Sequence, residues 1–180
     1  KDGIFGRTIA HLHVIEFQHR GLPHAHILII LDPEQRLHSA EEIDACVRAE
    51  LPTKPSRAAF PTDAEYTTAH ERYMRLSTLI AECMTHNDCS GNNPDAVCLD
   101  DDGNCTKCFP KDFIDATVFN EKEIYPKYRR RAPDAGGATF DYKGRTIDNR
   151  WVVPYSPYYN ETHEAFRLDA RAIIARELSE

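Results

Sequence analysis

Glu16-Phe17-Gln18-His19-Arg20-Gly21-Leu22-Pro23-His24-Ala25-His26-Ile27-Leu28-Ile29-Ile30-Leu31 is the stretch whose reading decides the fold. From His24 to Leu31 it is rich in β-branched and aliphatic residues and is closed by Asp32-Pro33, which reads as a β-strand. Side chains alternate faces along a strand, so His24 and His26 point to the same side. Thr8 to Phe17 is a second strand candidate, and Gln18 to Pro23 supplies Gly21 and Pro23 for the connection. An antiparallel hairpin follows, and it returns Glu16 beside His24 and His26. Two imidazoles and one carboxylate on adjacent strands can hold one divalent cation and leave positions open for substrate oxygen. The competing reading is a half-buried strand with two structurally satisfied histidines.

At 180 residues the chain suits one domain with a real core. Hydrophobic residues make up 41%, and 28% charged residues with 11 prolines predict a loop-rich, soluble protein. No apolar run approaches the ~20 residues that span a bilayer, and no signal peptide is recognisable. The chain starts at Lys1, which reads as an internal segment. The net charge of -7 opposes a broadly basic footprint for nucleic acid. Distribution matters more than the sum. Asp100-Asp101-Asp102 and the acidic helices carry much of the negative charge, while Lys107, Lys111, Lys127, Arg145 and Arg150 concentrate positive charge. Arg129-Arg130-Arg131, next to Tyr128, suits a strand that tracks phosphates while aromatic rings stack on bases. A solvated loop is the alternative.

Ser39 to Glu50 opens with a capping-box pattern and continues with Ile43, Cys46 and Val47 at helical spacing. Pro52, Pro55 and Pro61 mark a loop, and Thr62 to Met84 reads as a longer helix with Tyr66, Tyr73, Leu76, Leu79 and Ile80 facing a core. Regular structure gives way from His86 to Pro110, short strands and turns follow to Tyr159, and residues 160–178 predict a final helix. Its apolar positions would be Ala165, Phe166, Ala170, Ile173, Ile174 and Leu178.

Six cysteines, clustered toward the middle beside a histidine, favour reduced metal ligation over disulfides. His86, Cys89, Cys98, Cys105 and Cys108 are soft or borderline ligands, and structural zinc takes four in a tetrahedron. Cys105-x-x-Cys108 has good chelate spacing, and Cys83 is close enough to compete. Cys46 falls on the first helix and reads as a small core residue.

Glu-Phe-Gln-x-Arg-Gly-Leu-Pro-His-x-His-Ile-Leu resembles the HUH (histidine, hydrophobe, histidine) signature in the replication-initiator-like domain of Helitron rolling-circle transposases. Further resembling segments follow in family order: Ala49-Glu50-Leu51-Pro52, Met84-Thr85-His86-Asn87-Asp88-Cys89, Asn93-Pro94-Asp95-Ala96-Val97-Cys98, and Gly103-Asn104-Cys105-Thr106-Lys107-Cys108-Phe109-Pro110-Lys111. Tyr125 to Arg131 and Asp148 to Tyr158 complete the set, so the resemblance covers roughly residues 3–159.

The resemblance implies an α+β fold in which an antiparallel sheet carries the metal site, flanked by helices, with an inserted zinc loop at 85–110 and a C-terminal helix at 160–180 outside the family pattern. His86, Cys89, Cys98 and Cys105 match the family positions and form the preferred zinc quartet, with Cys108 as an alternative ligand. His24 and His26 with Glu16 would hold Mg²⁺ or Mn²⁺ to polarise the scissile phosphate of single-stranded DNA while a tyrosine attacks. Gln18, on Glu16's strand face, is an alternative third ligand. Arg20, Lys107, Lys111, Arg129, Arg130, Arg131 and Arg150 are the expected DNA contacts. A helicase domain in the same polypeptide is implied too, as is an intracellular, reducing setting, which is nuclear if the chain derives from a eukaryotic transposon.

One departure stands out. The nucleophilic tyrosines of the family lie downstream, in a helix with a Tyr-x-x-Lys-Tyr-like pattern, and residues 160–180 contain no tyrosine. Tyr155, Tyr158 and Tyr159 are available, but Tyr155 and Tyr158 match a non-nucleophilic segment. The expectation is therefore single-strand binding, with the nucleophile supplied from outside this chain; Tyr158 and Tyr159 are the residues to suspect otherwise. The alternative is a zinc-stabilised single-stranded nucleic-acid-binding module without nuclease activity.

Overall fold

The hairpin forms as the alternation requires. In the computed structural model, which describes residues 5–17, 23–86, 89, 93, 96–119, 124–163 and 168–173, strand β1 (Thr8–Phe17) pairs antiparallel with β2 (Pro23–Leu31). The connection, with Gln18 and Arg20 in it, lies outside the described residues. Glu16 stands opposite His24 and Val14 opposite His26, with one irregularity between Thr8 and Ala10. Leu12, Val14, Leu28 and Ile30 share the face of Glu16, His24 and His26; His13, Ile15, Phe17, Ile27 and Ile29 lie on the other.

Neither face is buried, contrary to the half-buried strand that the histidine alternation allows. Leu12, Val14, Ile15, Phe17 and Ile27 are each more than half exposed. Among the described residues no third strand joins this apolar ribbon and both its faces are exposed, an arrangement that favours self-association. An Ile15→Lys, Ile27→Lys double variant, on the face away from Glu16, is expected to shift sedimentation toward the monomer. Unchanged sedimentation, with wild-type protein already self-associating, would clear this face of the role.

Helix α1 (Ala40–Cys46) starts at a complete capping box: Ser39 Oγ accepts from Glu42 N and the Glu42 carboxylate accepts from Ser39 N. It stops short of the expected Glu50. Arg48 instead exchanges backbone hydrogen bonds with Tyr155, N to O at 2.8 and 2.9 Å, which demands an extended chain. Helix α2 (Asp63–Cys83) is capped by Thr62 and Glu65 in the same way, as the sequence predicts. Its Leu76, Ile80 and Ala81 bury against Leu51, Met84, Ile147, Val152 and Tyr155. Full burial of a side chain such as Ile80 contributes about 1.5–3 kcal/mol. A second hairpin joins β3 (Thr139–Tyr142) to β4 (Arg145–Asp148) through Lys143 and Gly144, whose φ values of 50° and 77° suit a two-residue primed turn.

The described strands thus form two separate two-stranded sheets, β1–β2 and β3–β4, within an α+β fold. The last helix also differs from expectation: α3 spans Pro157–His163. Residues 168–173 are not helical, because Asp169 bridges to Tyr155, Ala170 N donates to Pro154 O at 3.0 Å and Ala172 N donates to the Tyr128 hydroxyl at 2.8 Å. Backbone pairing here overrides an apolar pattern compatible with a helix. Ala165, Phe166, Ile174 and Leu178 lie outside the described residues.

The motifs scattered along the chain converge on one node. Asn149 Oδ1 accepts from Leu51 N and its Nδ2 donates to Arg131 O, both at 2.8 Å, while Tyr155 Oη donates to Glu50 O at 3.0 Å. Thr85 bridges Val152, and His86 N donates to Trp151 O at 2.8 Å. Segments 49–52, 84–86, 128–131 and 148–155 are therefore one interlocked hydrogen-bonded core. Gly137 completes it, since a Cβ there would stand 2.0 Å from Arg131 O.

Candidate metal centres and cationic surface

The strand register brings Glu16, His24 and His26 together as the sequence predicts. One ligand atom from each lies within 4.8 Å of the others, His26 Nε2 is 3.3 Å from Glu16 Oε2, and the two rings are 4.9 Å apart. The His26 and Glu16 side chains are 62% and 57% exposed, so the site is open to a large ligand. A carboxylate with two imidazoles is a donor set that fits a divalent cation of the first transition row or Mg²⁺.

The tyrosines are elsewhere. Tyr155 is fully buried, and burial pushes its hydroxyl up to about 12. Tyr158 and Tyr159 sit on α3, where Tyr159 lies 6.0 Å from the Phe5 ring. Phe5 leads into the first residue of β1, whereas Glu16 is near its far end. At ~3.3 Å per residue that separation is roughly 26 Å along the strand. Tyr159 therefore belongs to the opposite end of the hairpin from the two histidines.

The second cluster is built from a hairpin-like loop. Thr106 donates to Cys98 O from both its amide (2.7 Å) and its hydroxyl (2.9 Å), and Leu99 bridges Cys105. Asp100 Oδ1 closes the loop by accepting from Asp102 N and Asn104 N. This fold-back places Cys98 and Cys105 together and carries them to His86, which is fixed by its bond to Trp151. His86, Cys89, Cys98 and Cys105 then group within 4.8 Å, with His86 Nε2 3.4 Å from Cys105 Sγ and 3.5 Å from Cys89 Sγ. These are the four residues expected from the sequence.

Cys108 is not among them. It is exposed, with a left-handed φ of 54°. Cys83 packs beside the α2 core and Cys46 beside Ile43 and Val47. None of the six cysteines forms a disulfide.

The electrostatics of the cluster suit metal ligation. Burial, helped by Lys111, Arg145 and Lys107, lowers the His86 pKa and so favours the neutral, ligating imidazole. Burial pushes the Cys89 thiol up to about 12, with Cys105 and Cys98 adding to it. Burial also opposes ionisation of Cys105, but backbone N–H groups of Phe109 and Lys107 and the neighbouring thiols outweigh it and bring that pKa down. Three sulfurs and one imidazole nitrogen in one pocket match a tetrahedral structural zinc site.

The arginine run needs a correction. Arg130 is 5% exposed and its guanidinium donates to the carbonyls of Asn149 and Val152, both at 2.6 Å, so it cannot reach a phosphate. Arg131 binds the buried Glu50 carboxylate at 2.8–2.9 Å, and Arg129 pairs with Glu50 and Asp44 at 3.2 Å. Charge that looked like a DNA track in sequence is spent inside the molecule. Glu50, the acidic partner, carries no sequence signal beyond the segment in which it sits. Arg150 pairs with Asp148 at 2.7 Å, and Lys107 is exposed. Lys111 is half-buried, and burial lowers its pKa.

Among the described residues no helix is long and apolar enough to cross a membrane. Residues 1–29 match the family model of the Helitron helicase-like domain at N-terminus, a span that includes Glu16, His24 and His26. The match supports a Helitron-related chain. No curated protein matches it significantly.

Proposed function

We propose that this chain binds single-stranded DNA as part of a Helitron-related nicking and joining protein, with a divalent cation site at Glu16, His24 and His26 and a structural zinc site at His86, Cys89, Cys98 and Cys105. The observation that carries the reading is the convergence of Glu16, His24 and His26 on one strand face inside the residues that match the Helitron-related model. The reading implies a helicase domain in the same polypeptide.

Mg²⁺ or Mn²⁺ held there would supply Lewis-acid polarisation of a phosphoryl oxygen. Glu16 would contribute charge and the two imidazoles neutral donors, all from paired strand positions that set them in register. The open face leaves room for a DNA strand to enter. Tyr159 lies at the other end of the hairpin, and the reading assigns the attacking hydroxyl to a tyrosine outside this chain.

Calorimetry with Mn²⁺ tests the site. Wild-type chain is expected to bind, and the His24→Ala, His26→Ala double variant to lose at least tenfold in affinity; binding that survives the change would place the cation elsewhere. A second reading, a zinc-stabilised single-strand-binding module without nuclease activity, is favoured by the buried Tyr155 and by the position of Tyr159. A denaturing gel with labelled single-stranded DNA and Mn²⁺ separates the two once a candidate tyrosine segment is added in trans. Covalent adduct that depends on His24 and His26 supports nicking, and its absence supports the module.

A further inference from the structure

Most arginines among the described residues are compensated by a partner within the molecule. Arg7, Arg57, Arg72, Arg129, Arg131, Arg150 and Arg171 each pair with a carboxylate, and Arg130 is enclosed by carbonyls. Lys107, Lys111 and Arg145 differ: among the described residues none of them pairs with a carboxylate. Lys107 is exposed, and the other two are held by other means. Lys111 Nζ donates to Lys107 O at 2.7 Å and sits 5.1 Å above the Phe109 ring, which stacks on His86 at 4.4 Å. The Arg145 guanidinium lies 4.7 Å over the Trp151 ring, and Trp151 O accepts from His86 N. Lys111 and Arg145 are thereby set beside His86 of the Cys/His cluster, and the Lys107 charge acts on the same imidazole.

A ring or a carbonyl orients a cation without cancelling its charge, whereas a carboxylate neutralises it. Even a zinc ion with three thiolates and a neutral imidazole would carry only one net negative charge, fewer than these three cations. A local surplus of positive charge thus persists in a chain of net charge -7. Beside it, Phe113 is 36% exposed, overlaid by the Arg150 guanidinium at 4.9 Å, and Lys111 N is tied to Arg150 O at 3.0 Å. Uncompensated cations flanked by a cation-stacked ring are the combination that suits a single strand, phosphates on the cations and bases on the ring.

We propose that the face formed by Lys107, Lys111 and Arg145 at the Cys/His cluster is the phosphate track for single-stranded DNA, with Phe113 beside it as a stacking surface. This rests on the single-strand reading above and assigns it a place that excludes the arginine run. The cluster, in addition to any structural role, then serves as the platform that presents the track.

Fluorescence anisotropy of the full chain with a labelled oligothymidine, titrated at several salt concentrations, tests it. The Lys107→Gln, Lys111→Gln, Arg145→Gln triple variant is expected to weaken binding tenfold or more. It should also flatten the log–log salt slope by about 2, at ~0.7 per lost phosphate contact on a single strand. Lys107→Gln alone, at an exposed position, should lower the slope by about 0.7 with zinc content and melting temperature unchanged, which guards against misfolding of the triple variant. Arg57→Gln should leave the slope alone. Wild-type binding with an unaltered slope in both Lys107 variants would overturn the placement and leave the single-strand reading intact. No binding by the wild type would overturn that reading itself, and the placement with it. Displacement by polyglutamate as potent as by DNA would point to an acidic protein instead and overturn the proposal.

Discussion

Cys98→Ser is expected to strip the chain of zinc and to lower its melting temperature by about 10 °C. Among the described residues of the loop from His86 to Pro110 there is little apolar burial beyond Cys89, so their packing alone does not fix it. Structural zinc sites contribute ~10–16 kcal/mol of binding free energy in small modules. Losing one thiolate forfeits part of that; a loss of ~4 kcal/mol converts to roughly 8–16 °C for a chain of this size. The same treatment of Cys108, exposed and outside the group of four, should change neither zinc content nor melting. Elemental analysis of protein purified under reducing conditions should find close to one zinc per chain. A folded wild type with negligible zinc would sink this account.

The site of Glu16, His24 and His26 was legible because it depends on short-range geometry. The His24–His26 alternation and the Glu16 register need only a hairpin, and strand periodicity specifies a hairpin locally. In the same way, the two helix starts follow from Ser39 with Glu42 and Thr62 with Glu65, where the signal and the contact are three residues apart. The zinc quartet needed the family resemblance as well, since spacing alone left Cys83 and Cys108 in competition. The positive φ and exposure of Cys108 are decided by how the 98–106 loop folds back, which cysteine spacing does not encode.

What the sequence hid is the fate of charge. Three consecutive arginines look alike in one dimension, yet Arg130 is enclosed by carbonyls while Arg129 and Arg131, on the other side of an extended segment that bridges Ile114, turn to the Glu50 carboxylate. Their partner Glu50 is some eighty positions away, so no local pattern announces the pairing. The truncated α1 and the non-helical 168–173 segment have a similar cause. Tyr155 sits between Arg48 and Asp169 and draws both into bridges that local helix propensity does not foresee. Arg145 was legible only as one of several positive charges; its stacking on Trp151, beside His86, appears once the chain is folded.

Glu50→Gln is the second large effect to expect, a loss of about 2–4 kcal/mol at neutral pH. The Glu50 side chain is 4% exposed, while Arg129 and Arg131 keep 31% and 32%, so the loss falls somewhat below the ~3–5 kcal/mol of a fully buried pair. The variant would leave two guanidinium groups at the node facing an amide, which can accept but cannot neutralise them. Acid should mimic it. Burial raises the Glu50 pKa, but hydrogen bonds from the Arg131 side chain and backbone and the charges of Arg129 and Arg131 outweigh this and hold it below the usual carboxylate value. A folded-state pKa below the unfolded one gives stability that is fully present above the unfolded value, near ~4.3, and that is lost as pH falls through the folded value. Chemical denaturation from pH 7 down to pH 3 should therefore show wild type weakening below about 4.3, with a flatter profile in Glu50→Gln that meets the wild type at the acid end. Parallel profiles, offset by a constant amount at every pH, would mean that Glu50 acts through shape and hydrogen bonding rather than through its charge.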